Sequence, residues 1–366
     1  MTDANSSLPQ PLAPQAQTFA ALAEPYRREI KVHCYRMLGS LHEAEDLTQE
    51  TFLRAWRSFD SFDGRAARAW LYKIATNACL NALDGRKRQQ RWLPDRRAPA
   101  TRDMPDGKPA AEIEWLEPYP DAELAGFADD ALNPEARYTL DESVQLAFVA
   151  AIQYLPPRQR AAVLLCDVLG WAANEAATLL ESSTASINSA LQRARETLSK
   201  EYPARLTSTR PEPSAAQREL LARYLNAWEQ FDLDNFVDLL KEDAIYTMPP
   251  LSQWYFGREP IRAFFAWAFK LYTRFHLVPI AANRQPAFAA YSRTGETTSW
   301  AAHSLQVLTL DENLISNITL FAKPDSPRLF AAFGLPMSFD SPNGSTPEAG
   351  RMAAVEDLWA TYPERK

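Results

Sequence analysis

The stretch PPRQRAAVLLCDVLGWAANEAATLLESSTASINSALQRARETLSKEY, residues 156–202, decides how the rest of the chain is read. Ala172 to Leu180 form a short amphipathic segment, ESS makes a tight turn, and Ser183 is placed to cap a second helix from Thr184 onward. In that second helix Ile187, Ala190, Leu191 and Ala194 recur at helical spacing and are expected to pack inward. The opposite face then carries Ser186, Asn188, Ser189, Gln192, Arg193 and Arg195. Short polar side chains allow close approach to a duplex, while Arg and Gln reach base edges or phosphates, so the pattern fits a helix-turn-helix entering a major groove. A helical hairpin with a solvated polar face is the alternative.

Outward from this stretch the composition changes in blocks. Residues 18–92 are helical in pattern and rich in Ala, Leu and Arg. Residues 93–134 are dense in Pro, Asp and Glu and hold no sustained period, which is the composition of a linker. Residues 135–202 are helical again, and Pro203 opens a second linker to residue 213. From Ser214 to about Phe333, helices are followed by alternating runs such as SWAAHSLQVLTL and NLISNITLFA that read as strands. Residues 1–17 read as a flexible lead-in without signal-peptide character, and the tail 334–366 holds a short helical pattern, EAGRMAAVEDLWATY. A chain of 366 residues so divided is multidomain. It has no apolar run of membrane-spanning length, and a cytoplasmic location without membrane contact is expected. Cys34, Cys79 and Cys166 stand singly in apolar patterns and the four histidines are scattered, so no metal and no cofactor is expected.

The net charge is −7, yet Arg86, Lys87, Arg88 and Arg91 crowd the end of one helix in AWLYKIATNACLNALDGRKRQQRW, residues 69–92. Trp70 and Tyr72 lie near the start of that helix, which also bears Lys73 and Asn77. Rings commonly fill cores. Beside a basic track they also hold unpaired bases by stacking while the cations neutralise phosphates. In the preceding helix, SLHEAEDLTQETFLRAW, Leu41, Ala44, Leu47, Thr51 and Ala55 line one face. Asp46, Gln49, Glu50 and Leu53 share another, which is either a solvated surface or a docking face for a basic partner helix.

Taken together, LHEAEDLTQETFLRAW, FDGRAARAWLYKIATNACLNALDGRKR and LPPRQRAAVLLCDVLGWAANEAATLLESSTASINSALQRARETL resemble domains two and four of a bacterial sigma-70 family initiation factor of the extracytoplasmic-function type. The resemblance implies binding to core RNA polymerase (β and β′ subunits) and to promoter DNA, with no chemistry of its own. It implies that Asp46, Gln49, Glu50 and Leu53 dock on the polymerase clamp. It assigns Phe62, Trp70, Tyr72, Lys73, Asn77, Arg86, Lys87 and Arg88 to opening and holding the −10 element, and Ser186, Asn188, Ser189, Gln192 and Arg193 to reading the −35 element. The linker of such factors threads through the polymerase, although Trp115 and Tyr119 equally suit a segment that packs on its own protein.

Residues 214–333 resemble a SnoaL-like domain, a cone in which helices close over a curved sheet. The fold expected is therefore two all-α sigma domains, the second with a helix-turn-helix, followed by an α+β SnoaL-like cone. Tyr246, Trp254, Phe256 and His276 are candidates to line a pocket for a small apolar ligand. Asp243, His276 and His303 are available acid-base groups, but no paired constellation demands catalysis, and the cone is expected to regulate. Two other readings stay open: a ligand-responsive helix-turn-helix regulator without polymerase docking, and a SnoaL-type enzyme with a DNA-binding appendage.

Overall fold

The structure, a computed structural model, describes residues 14–85, 90–105, 113–124, 142–201, 214–293, 299–322 and 326–340. Arg86, Lys87 and Arg88 and the tail pattern EAGRMAAVEDLWATY lie outside the described residues.

The first helical unit comprises α1 (Pro14–Ala23), α2 (Arg27–Leu38), α3 (Leu41–Arg57) and α4 (Ala67–Asp84). The lead-in expected over residues 1–17 is helical from Pro14, and α1 is held because Phe19 packs edge-on against Trp56 and Phe59, with centroids 5.4 and 5.3 Å away. Helix α2 stops at Gly39, whose φ of +70° suits glycine, and Ser40 then caps α3 by accepting from the Glu43 N–H at 3.3 Å. A β-carbon at Gly39 would stand 2.8 Å from Leu116 Cδ1, so glycine here also lets the linker pass directly over the turn.

The second unit comprises α5 (Leu146–Ile152), α6 (Pro157–Val163), a π-turn at Leu164–Val168, α7 (Ala173–Leu179) and α8 (Thr184–Glu201). Ser183 Oγ accepts from the Ser186 N–H at 3.1 Å, capping α8. Arg160 ties the two units together. Wholly buried, it donates to the Met37 carbonyl of α2, to Gln153 Oε1 at 2.8 Å and to the Gln153 and Leu155 carbonyls at 3.0 and 3.2 Å. These acceptors are neutral, and burial lowers the guanidinium pKa to about 9.

The third unit comprises α9 (Ala215–Gln230), α10 (Leu233–Asp238), β1 (Leu240–Thr247), β2 (Trp254–Phe256), α11 (Arg258–Ala268), β3 (Arg274–Ala282), β4 (Gln285–Arg293), β5 (Ser299–Asp311), β6 (Leu314–Ala322), α12 (Ser326–Ala332) and β7 (Ser338–Asp340). The strand order is β2-β1-β6-β5-β4-β3, with β7 on β5. The β1–β6 pair is parallel and the other pairs are antiparallel. The inner sheet face and α9–α11 enclose a core of rings, including Tyr224, Trp228, Phe236, Tyr246, Phe265 and Phe288. On the outer face Ala282, Ala287, Ala289, Tyr291, Leu305 and Val307 belong to one apolar cluster that runs on into both helical units. Strand β4 is consequently buried at every position, because both of its faces are covered.

Candidate nucleic-acid interface

Three surfaces carry the residues singled out by sequence. On α3, Asp46, Gln49 and Leu53 are exposed and Glu50 is half-buried, paired with Arg54 at 2.7 Å. Leu53 keeps 51% of its surface, an apolar contact in a polar stripe with nothing over it among the described residues. Thus α3 buries Leu41, Ala44, Thr48, Thr51, Phe52 and Ala55 and leaves the stripe of Asp46, Gln49, Glu50 and Leu53 facing outward.

On α8, Ser186, Asn188, Ser189, Gln192 and Arg193 are all exposed, and Ile187, Leu191 and Ala194 are buried beneath them. The Arg193 guanidinium donates to Ser189 Oγ one turn earlier at 2.8 Å, so two of the candidate side chains are coupled to each other. Arg195, on the flank, makes a two-point pair with Asp167 of the π-turn at 2.6 and 3.0 Å.

The third surface is divided. Phe62 and Trp70 stack with centroids 4.4 Å apart and both are half-buried. Lys73 and Asn77 are also half-buried. Tyr72 departs from the expectation of a base-holding ring: it is 1% exposed, edge-on to His33 at 5.0 Å and to Trp171 of the second unit at 5.5 Å. Its position two residues after Trp70 turns it about 200° around the helix, toward the core, and the second unit closes over it. His33 below it accepts or donates to Thr76 Oγ1 at 2.9 Å, and burial, with the Arg36 charge adding, holds its pKa down at about 3.

Over its described residues, 93–105 and 113–124, the linker packs on the neighbouring units. Trp92 and Trp115 form a parallel bridge, Leu116 N–H donates to the Trp92 carbonyl at 3.0 Å, and Glu117 N–H donates to the Gly39 carbonyl at 3.0 Å. The Glu117 carboxylate accepts from Ser40 Oγ, the Leu41 N–H and the His42 ring at 2.9, 2.7 and 3.0 Å, over the start of α3. Burial alone would raise its pKa, but the hydrogen bond from His42 and the Arg91 charge bring it below the usual carboxylate value. Farther along β2, the Trp254 indole donates to the Ala98 carbonyl at 2.7 Å and Thr101 N–H to the Trp254 carbonyl at 2.9 Å.

At the β3–β4 turn the cone reaches all three sigma-like parts through one residue. Asn283 Nδ2 donates to Tyr35 Oη of α2 at 2.8 Å and to the Val144 carbonyl before α5 at 2.7 Å, and Asn283 Oδ1 accepts from the linker's Tyr119 N–H at 2.8 Å. Asn283 and Arg284 both have φ of +57°, as a two-residue hairpin turn requires, and Arg284 N–H donates to Asp121 at 2.8 Å. Neither Asn283 nor Glu117 nor Arg160 stood out in the sequence. Nothing local marks a residue whose partners lie far away in the chain.

The four pocket candidates do not converge. Tyr246 is packed among Tyr255, Phe264 and Phe265. Trp254 faces the linker, and Phe256 is 51% exposed, because alternation on β2 turns only Tyr255 inward. His276 meets Glu229 at 3.0 Å and the Trp300 and Phe339 rings on the outer sheet face. His303 is engaged separately with Tyr272 Oη at 3.1 Å and Ser304 Oγ at 2.9 Å, and Asp243 lies near Lys241.

Family models match in the same order as these units: Sigma-70 region 2 over residues 22–89, Sigma-70 region 4 over residues 145–198 and a SnoaL-like domain over residues 221–318. Over 344 residues the chain is 42% identical to the ECF RNA polymerase sigma factor SigG of Mycobacterium tuberculosis, covering 92% of this chain and 88% of that protein. The chain belongs to the ECF sigma factors. This ECF factor is also 31% identical over 184 residues to SigW of Bacillus subtilis, covering 50% of this chain and 88% of that one. The crystal structure of the Mycobacterium tuberculosis ECF factor SigJ shares its fold, with a TM-score of 0.57 at 22% identity over 88% of this chain and 99% of that one. As a sigma factor it binds core RNA polymerase and promoter DNA and directs transcription initiation. Among the described residues no helix is long and apolar enough to cross a membrane.

Proposed function

We propose that this ECF sigma factor is held in a closed form by its own SnoaL-like domain, and that polymerase binding and promoter opening require the closed form to release. Residues 18–92 act as domain two, 93–134 as the linker, 135–202 as domain four and 214–333 as the cone, joined by residues 203–213. Asp46, Gln49, Glu50 and Leu53 meet the polymerase clamp on the β′ side, Phe62, Trp70, Lys73 and Asn77 hold the opened −10 strand, and Ser186, Asn188, Ser189, Gln192 and Arg193 read the −35 element. Arg86, Lys87 and Arg88 continue the phosphate track.

The observation that carries the regulatory reading is Asn283, whose one amide joins domain two, the linker and domain four to the cone. The docking and recognition faces are exposed but held in one fixed relation by the cone and the clasped part of the linker, so what release supplies is the separation of the domains that assembly on polymerase needs. A cone filled with its own rings supports a regulatory rather than a catalytic role. A regulator acting without polymerase would leave the exposed stripe on α3 without a use. Run-off transcription with the full chain and with residues 207–366 deleted tests the proposal: output should rise on deletion, and identical output would remove the regulatory role.

A further inference from the structure

We infer that the helix-turn-helix of domain four seats on the strand-opening face of domain two as a competitor of unpaired promoter DNA. The inference rests on the reading of Phe62, Trp70 and Lys73 as strand-holding residues. A cleft of about 690 Å³ lies between the two domains, with Phe62, Trp70 and Lys73 on one wall and Trp171, Glu175 and Thr178 on the other. The Trp171 ring is the apolar anchor. Gly170, with φ of +73° and open space around it, turns the chain so that the indole meets Tyr72 edge-on at 5.5 Å.

Charge complements shape. Arg65 and Lys73 stand on the domain-two wall, and Glu175 lies opposite them. Glu181, in the turn between α7 and α8, reaches Lys73 Nζ at 3.0 Å. Its φ is +50°, a left-handed conformation that glycine adopts freely and a side chain with a β-carbon does not. A carboxylate kept at such a turn position, and aimed at a lysine of the strand-holding face, stands where a DNA phosphate would stand. Lys73, a cation that would take a phosphate, therefore takes the Glu181 carboxylate, while Trp171 closes the far side of the cleft that Phe62 and Trp70 line. The recognition face of α8 points elsewhere and is exposed, so the contact blocks strand capture without blocking −35 reading.

The test is fluorescence anisotropy of a single-stranded oligonucleotide carrying the non-template −10 sequence of a promoter recovered by run-off selection. The oligonucleotide is titrated with the full chain alone and with reconstituted holoenzyme. As a free chain, E181Q should bind it ~2–5-fold tighter than wild type, the range expected for an exposed ion pair. W171A/E181Q should gain about tenfold or more, as removal of a ring anchor predicts. In holoenzyme, wild type and both variants should bind equally, because the seat is already vacated. Circular dichroism and a cooperative melt check folding, and E181Q, an exposed turn substitution, carries the test if W171A loosens domain four. Equal affinity of wild-type and E181Q free chains overturns the competition. Holoenzyme with W70A that binds the oligonucleotide as wild type does overturns the strand-holding reading itself, a different result from the first.

Discussion

Replacing Asn283 by Gly removes the amide that joins the cone to the sigma domains while keeping a backbone of φ +57° free of strain. Three bonds go: those to Tyr35 Oη and the Val144 carbonyl, and that from the Tyr119 N–H. Tyr35 Oη still donates to the Glu117 carbonyl at 2.8 Å, so the lasting cost falls on Tyr119 N–H and Val144 C=O, both at buried residues. An orphaned buried backbone group costs roughly 1–3 kcal/mol, and two neighbours sharing one amide do not add fully, so about 3 kcal/mol is the working figure. That corresponds to roughly a hundredfold change in the ratio of closed to open chain. In run-off transcription at limiting sigma factor, N283G should give about tenfold or more transcript than wild type, because opening no longer opposes assembly. Y35F, which removes one of the three bonds of the Asn283 amide together with the Tyr35 donation to the Glu117 carbonyl, should give a smaller rise. If N283G is folded by circular dichroism and its transcription matches wild type at every concentration, the cone does not hold the factor closed through this turn.

Other consequences follow from the exposed surfaces and the buried histidine. The pair D46R/Q49R should abolish co-elution with core polymerase and leave the melting temperature within a few degrees of wild type; an intact complex would refute docking through α3. R193A should lose about 1–3 kcal/mol of promoter affinity with altered preference at one −35 position, whereas loss of affinity with unchanged preference would make it a phosphate contact. His33 has a folded pKa of about 3 against 6.5 unfolded, so the unfolded chain takes up the proton first as pH falls. Stability is thus complete above about pH 6.5 and falls by about 3 kcal/mol by pH 4 from this group, and H33Q should flatten that part of a denaturant-midpoint profile.

The helices were legible because each carries its own periodicity: the inward Ile187, Leu191 and Ala194 and the outward Ser186 and Gln192 follow from 3.6-residue spacing. The cone's order of helices and strands was equally readable, apart from the short β2 and β7 and helix α12, which are too brief to show a period. The linker was legible only as two open readings, since its composition is that of a tether while Trp115 and Tyr119 equally suited packing; what holds its described residues are distant partners: Gly39, whose missing side chain admits Leu116, and Trp254, whose indole holds Ala98. Tyr72 was misplaced for a related reason, because a ring beside Trp70 looks the same in sequence whether it faces DNA or lies under Trp171. The pocket candidates were read as one set but scatter, because Tyr246 fills the interior while strand alternation turns Trp254 to the linker, Phe256 to solvent and His276 to the outer sheet face.

The measurement that bears most directly on the account is permanganate reactivity of unpaired thymines at the −10 region of a selected promoter, in holoenzyme assembled from core polymerase and the full chain. Thymines there should become reactive with wild type and stay protected with F62A/W70A, while −35 footprints persist in both. Reactivity unchanged by the double substitution, or absent at every promoter tested, would contradict it.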